Sequence, residues 1–353
     1  MTAGAAAARR SGSVCGGGGG SGAGAAAQRS GSVRFAALGD SLTEGVGDPA
    51  GGGWRGWAAL LAASLAEDSE RVRFTNLAVS GAQTRDVRER QTPAALELRP
   101  DLVSVVVGVN DTLRRTFDIH AVAAHLDQVY GSLTRQGATL LTACLPDPGA
   151  MLRLPDALAR PLARRQRAVN AVVHALSERY GAVHLHAADD GWISDRSLWS
   201  ADRLHPGERG HRQFAVRCHA LLAQTGRATG EPPSPEPEFP APTRTASLWW
   251  LATAGTGWVL RRCNDLLPQL LCLAAGELRH RVRGTGARLD LRASAAVSAA
   301  LAALPEAPTE EAVARRRGDG REAVPAQGTA EVVGLEATGA VGTAASAGAV
   351  AAG

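Results

Sequence analysis

The chain has 353 residues, a formal net charge of +4 and 45% hydrophobic residues, enough for one or two domains with a buried core. All 38 residues counted as Lys+Arg are arginine, and the missing lysine excludes a Walker-A phosphate loop, a lysine Schiff base and a Ser-Lys dyad. The charge is modest and spread along the chain, so no nucleic-acid partner is expected.

Residues 1–31 are rich in Gly, Ala and Ser and offer nothing to bury against the entropy cost of ordering, so a disordered tail is expected there. Arg9 and Arg10 are not followed by an apolar run of the kind a secretory signal needs, which points to a cytoplasmic location. From 32 to 224, strand-like and helix-like segments alternate. Strands are predicted near 33–38, 73–79, 102–109, 138–145 and 182–187, and helices near 54–67, 84–97, 118–136, 157–180 and 207–223. The apolar run 102–109 suits a strand covered on both faces. In the helix near 118–136, Ile119, Val122, Ala123, Leu126 and Val129 recur at helical spacing. Five strands alternating with helices imply an α/β fold, a parallel sheet with right-handed crossovers and helices on both faces. Residues 225–245 are too Pro-rich for a helix or a central strand and read as a linker. A Trp/Leu-rich module, 246–283, follows, with Trp249, Trp250 and Trp258. Residues 284–353 return to Ala and Gly and read as a mostly disordered tail, apart from an Ala-rich piece, 293–304, with weak helical character.

The chemistry sits on the strand ends. The strand near 33–38 breaks into Gly39-Asp40-Ser41-Leu42, which places Ser41 on the loop past the strand's carboxyl end, where ligands bind in open α/β sheets. Acyl transfer by serine needs a hydroxyl, a base, a group that orients the base, and donors for the oxyanion. Gly81 follows the second strand, and a glycine there lets a backbone N–H approach a ligand closely. After the third strand comes Gly108-Val109-Asn110-Asp111, whose Asn110 amide can donate. Far downstream, Asp202-Arg203-Leu204-His205 puts a base and an orienting carboxylate on one loop. The three-residue spacing to His205 favours Asp202 over Asp189, Asp190 and Asp195. Asp40 and Asp111 read as groups that bond loop backbone, and His174, His211 and His219 as structural residues of helices.

Other polar groups carry less. The five cysteines are odd in number, widely spaced and form no C-x-x-C pair, which argues against disulfides and against zinc. His184 and His186 share a strand face but lack an obvious third ligand, so no metal is expected. The cluster Arg160, Arg164, Arg165 and Arg167 reads as a solvated helix face rather than a phosphate-binding patch.

The four blocks around Ser41, Gly81, Asn110 and Asp202/His205, in this order, resemble those of the SGNH hydrolase superfamily, also called GDSL esterases or lipases. The resemblance covers about residues 33–223. It implies a flavodoxin-like three-layer α/β/α sandwich with a five-stranded parallel sheet, followed here by a short C-terminal helical extension. It implies a catalytic domain over 32–224 that cleaves carboxylic esters without a cofactor. Ser41 would be the nucleophile, His205 the general base and then the general acid, and Asp202 its orienting partner. The backbone N–H groups of Ser41 and Gly81 and the side chain of Asn110 would form the oxyanion hole. The substrate would be a small-molecule or lipid-like ester. Acyl transfer to another alcohol uses the same residues, and a catalytically silent binding module is the reading from another class. The G-x-S-x-G elbow of α/β-hydrolases does not occur in the chain. The Trp-rich extension resembles that of actinobacterial-type members. Its apolar stretches are short for a bilayer span, which leaves a contact between 246–283 and the hydrolase domain or a second subunit, or a peripheral membrane contact.

Overall fold

The computed structural model describes residues 32–239, apart from 189, and 270–306. The predicted N-terminal tail, the tryptophans at 249, 250 and 258, and most of the C-terminal tail lie outside the described residues. The chain divides into two units, Met1–Pro305 and Glu306–Gly353, and the first holds all the described strands and helices.

One sheet holds five parallel strands: β1 (Val33–Gly39), β2 (Val72–Asn76), β3 (Leu102–Val106), β4 (Thr139–Cys144) and β5 (Val183–His186). They lie in the order β2-β1-β3-β4-β5, the flavodoxin-type order. The strand order reverses between β1 and β3, and Gly39 pairs there with Val106. That reversal opens a crevice beyond the strand ends.

Strand alternation divides the core in two. Ala36, Leu38, Val103, Val105 and Leu140 face one side, under the helices Ile119–Arg135 and Asp156–Arg179. Phe35, Ala37, Val106, Leu141, Ala143 and Leu185 face the other, under Gly56–Ala62 and Glu208–Gln224. The fold is therefore the three-layer α/β/α sandwich expected. β3 is buried at every residue, as its unbroken apolar run requires of a central parallel strand. The helix Ile119–Arg135 buries Ile119, Val122, Ala123, Leu126 and Val129 along one stripe, and Asp118 caps it by accepting from the His120 N–H at 2.9 Å.

Several elements end earlier than their apolar runs suggest, each for a local reason. β2 stops at Asn76 because that side chain turns the loop: its Oδ1 accepts from the Ala78 N–H and its Nδ2 donates to the Thr43 carbonyl. Val109 is not strand but the first residue of a short helix, Val109–Thr112. The helix near 84–97 contains a π-turn at Val87–Gln91, next to Pro93, which has no N–H to offer the regular ladder.

Residues 225–239 are irregular yet lie along the last helix of the sandwich. The Thr229 N–H donates to the Leu65 carbonyl, and Glu238 pairs with both Arg55 and Arg212. Residues 270–282 are helical, and a second helix spans Gly286–Ala302, a longer element than the Ala-rich piece predicted. It packs Ala296, Val297, Ala300 and Leu301 against the first core.

The arginine cluster divides: Arg160 and Arg167 are exposed, as expected of a solvated face, whereas Arg164 and Arg165 are not. Arg164 pairs with Glu277 and Asp290, so it fastens the C-terminal helices to the sandwich. Arg165 donates to the Thr112 and Arg114 carbonyls and stacks over Phe117. Among the described residues no helix is long and apolar enough to cross a membrane.

Candidate active site

The site is built on the carboxyl ends of β1, β2 and β3 and on the loop before Glu208–Gln224. At Gly39, φ is 152°, and a Cβ would stand 2.2 Å from the Val106 carbonyl oxygen, so only glycine lets β1 lie this close to β3. Asp40 then caps the short helix Ser41–Glu44, accepting from the Leu42 N–H at 3.1 Å. Ser41 is its first residue and points into the crevice that Asp40, Ser41, Asn110 and His205 line.

The His205 loop is fixed by one carboxylate. Arg203 adopts a left-handed backbone, with φ 58°, which tightens the turn from Ser200. Asp202 Oδ1 accepts from the N–H groups of Leu204 (2.9 Å) and His205 (3.0 Å) and from Ser200 Oγ (2.7 Å). Asp202 Oδ2 lies 2.7 Å from His205 Nδ1, and His205 Nε2 lies 2.7 Å from Ser41 Oγ. A carboxylate on Nδ1 places the ring proton there and leaves the Nε2 lone pair for the serine proton. Burial acts against the charge on Asp202, but the hydrogen bonds and charge of His205, with the bond from Ser200, outweigh it and hold the carboxyl at about 2. Asp202 is thus ionised near neutral pH.

Gly81 sits on the loop after β2 with φ 83°. Glu44 holds that loop by accepting from both the N–H and the hydroxyl of Ser80. The N–H groups of Ser41 and Gly81 meet no acceptor among the described residues. Asn110 is in the crevice, but both hydrogens of its amide are in use: Nδ2 donates to Asp40 Oδ2 and to the Ala82 carbonyl, each at 3.1 Å. The structure thus brings Ser41, Asn110, Asp202 and His205 together, with Gly81 on the adjoining loop.

One supporting group, Gln91, was not singled out from sequence, and Asp40 does more than expected. Gln91, brought inward by the π-turn, donates to the Gly39 carbonyl at 2.9 Å and accepts from the Gly39 N–H at 2.8 Å. Asp40 bonds not only loop backbone but also the Asn110 amide, and burial raises its carboxyl to about 6. Asp111 is likewise raised to about 6 by burial, and it accepts from both the N–H and the hydroxyl of Thr84. Of the competing carboxylates, Asp195 caps a surface turn instead, and the Asp189 and Asp190 side chains lie outside the described residues.

Apolar groups dominate the rest of the crevice, which is walled by Leu42, Leu113, Leu145, Trp192, Trp199 and Phe214. Trp199 is pinned by an indole N–H bond to the Trp192 carbonyl, and the two rings meet edge to face.

Of the remaining histidines, His211 and His219 are structural, as expected. His211 accepts from the Trp57 N–H and donates to the Val46 carbonyl, and His219 bridges the Ser64 and Gly230 carbonyls. His174 lies on the helix Asp156–Arg179, as expected, and turns toward His184 and His186, where Cys144 joins them. The expectation that the pair lacks further ligands is corrected, because the helix Asp156–Arg179 and β4 bring donors from far along the chain.

The fold resembles an acetylxylan esterase from Geobacillus stearothermophilus, with 22% identity over 56% of this chain and 95% of that one, at a TM-score of 0.44. It also resembles an α/β hydrolase from the metagenome of Lake Arreo, Spain, with 21% identity over 57% of this chain and 98% of that one, at a TM-score of 0.43. No curated protein matches the chain. The GDSL-like lipase/acylhydrolase family, in contrast, matches residues 37–213, half of the sequence and nearly all of the sandwich from β1 to the last helix. The chain belongs to that family of ester-bond hydrolases.

Proposed function

We propose that the chain is a serine esterase that cleaves carboxylic esters through an acyl-enzyme on Ser41. The observation that carries this reading is the unbroken series Ser41 Oγ, His205, Asp202, with 2.7 Å at each link. His205 Nε2 takes the Ser41 proton as the hydroxyl attacks the ester carbonyl, and Asp202 steadies the imidazolium that forms. The proton passes to the leaving alcohol. Water then repeats the attack on the acyl-enzyme and releases the acid.

The oxyanion is met by the N–H groups of Ser41 and Gly81, which have no protein acceptor to give up among the described residues. Asn110 joins them by sharing or releasing its hydrogen to the Ala82 carbonyl, while Asp40 keeps the amide turned toward the crevice. The apolar walls favour an ester with a hydrocarbon acyl or alcohol part.

A fluorophosphonate probe is expected to label Ser41, and rates on p-nitrophenyl esters from acetate to palmitate will give the acyl length the pocket accepts. A chain that hydrolyses none of them and leaves Ser41 unlabelled would refute the reading. Product analysis with an added alcohol separates hydrolysis from acyl transfer.

A further inference from the structure

On the sheet face opposite the catalytic pocket, Cys144, His174, His184 and His186 converge. One donor atom from each lies within 4.8 Å of the others. Cys144 ends β4, His184 and His186 come from β5, and Cys144 pairs with His186 across the two strands. His174 comes from the helix above. The three imidazoles stand edge to face, with ring centroids 4.8 to 5.0 Å apart.

The hydrogen bonds of His184 tell which of its nitrogens is open. Ser177 Oγ donates to the Val173 carbonyl at 2.6 Å, since a carbonyl only accepts. Ser177 Oγ therefore accepts from Thr142 Oγ1, 2.7 Å away, and Thr142 Oγ1 accepts from His184 Nδ1–H, 2.8 Å away. Each bond in this chain has one direction that satisfies all of them. It puts the His184 proton on Nδ1 and a lone pair on Nε2. Nε2 is buried and meets no hydrogen-bond partner. A buried nitrogen without a partner has a cost that water or a bound ion would remove.

We propose that these four side chains bind a first-row transition-metal ion of the zinc class, in a tetrahedral His₃Cys site distinct from the catalytic pocket. Three imidazoles and one thiolate suit Zn²⁺ or Co²⁺ and disfavour Mg²⁺ and Ca²⁺, which take oxygen ligands. Ligation releases the Cys144 thiol proton to solvent and forms one metal–sulfur and three metal–nitrogen bonds. Metal–ligand bonds of about 2.0 to 2.3 Å put donors about 3.3 to 3.8 Å apart, so the side chains close by about 1 Å around the ion. The hydroxyl chain through Thr142 and Ser177 orients His184 as outer partners orient zinc histidines elsewhere. His174 and His186 are exposed and give the ion a route in. The site would join β4, β5 and the helix Asp156–Arg179. The next residues along the two strands, Leu145 and Ala187, line the catalytic pocket.

The test uses the full chain, without a histidine tag, stripped with a chelator and titrated with Co²⁺. We expect one Co²⁺ per chain, the intense visible bands of a tetrahedral ion and a thiolate charge-transfer band in the near ultraviolet, all displaced by Zn²⁺. Cys144→Ser should lose the charge-transfer band. The double variant His174→Ala/His186→Ala changes only exposed side chains and keeps the fold testable if Cys144→Ser does not fold. It should weaken binding by more than about 100-fold, and Thr142→Val by about 10- to 100-fold. Absence of a tetrahedral cobalt spectrum, or equal affinity in the wild type and the double-histidine variant, would overturn the site.

Discussion

His205 and His184 both lie near the carboxyl end of the sheet, on opposite faces, and their hydrogen bonds differ in one respect. His205 has a carboxylate on Nδ1 and a hydroxyl on Nε2. His184 has a hydroxyl on Nδ1 and no partner on Nε2. The first arrangement can pass a proton from one partner through the ring to another, with a negative charge in place to steady the cation. The second fixes a tautomer and leaves a lone pair pointing at other soft donors. On the readings proposed above, the same side chain in the same fold would serve proton transfer in one case and ligation in the other, and the difference lies in what its neighbours leave open.

Ser41→Ala should break the contrast most deeply, lowering turnover on a p-nitrophenyl ester by about 10⁴-fold or more. Asp202→Asn should come next, near 10⁴-fold in turnover, because the amide favours the wrong His205 tautomer while the fold is kept. Substantial activity in either variant would remove His205 from the proton path. Asn110→Ala should lower turnover by about 10²- to 10³-fold, the usual loss for one oxyanion donor. A smaller loss would mean that the amide never leaves Asp40 and Ala82. Gln91→Leu leaves the buried Gly39 N–H without its acceptor and the Gly39 carbonyl with only the Val79 N–H, at 3.3 Å. It should destabilise the protein by about 1 to 3 kcal/mol in urea unfolding.

The smallest effects are expected away from the two histidines. Asp111 has its carboxyl raised to about 6 in the folded chain, so it contributes stability below its unfolded value of 3.8, and that contribution is lost as pH rises through 6. Asp111→Asn should therefore flatten the fall in urea midpoint between pH 4 and pH 7. Asp202, held at about 2, acts in the other direction and at lower pH, since its contribution is lost only as pH falls toward 2. His186→Ala should leave esterase turnover unchanged; a large loss there would tie the two histidine clusters into one function.

The residues of the Ser41, His205 and Asp202 cluster were legible in the sequence because each sits on a local motif, although the contact between Ser41 and His205 spans 164 positions. Ser41 stands just after an apolar run that must be a strand, and Asp202 and His205 share one turn. The second cluster was half legible: the alternation of His184 and His186 shows a shared face, but His174 and Cys144 reach it only through the packing of the helix Asp156–Arg179 and the register of β4 on β5. Gln91 acts on Gly39 across 52 positions, and Asn110 on Asp40 across 70. Neither contact has a local signal. Arg164 was misread for the same reason, since its partners lie more than a hundred residues later in the chain. Composition described the Pro-rich stretch correctly as irregular but could not show that it lies against the hydrolase domain.

That stretch sets where the hydrolase can be cut. Glu238 shares its carboxylate between Arg55 and Arg212, the second of which is 5% exposed at its side chain, and Glu208 accepts from the N–H groups of Glu238 and Phe239. A chain ended after Gln224, at the close of the last helix of the sandwich, would strip one carboxylate from two clustered guanidinium groups and take the Gly230 carbonyl from His219. A chain ended after Phe239 would keep both. For anyone dissecting the enzyme, or mapping it by limited proteolysis, a cut at Gln224 removes supports of the sandwich that a cut at Phe239 keeps, while the packing of Gly286–Ala302 on the first core is kept only by a cut beyond that helix.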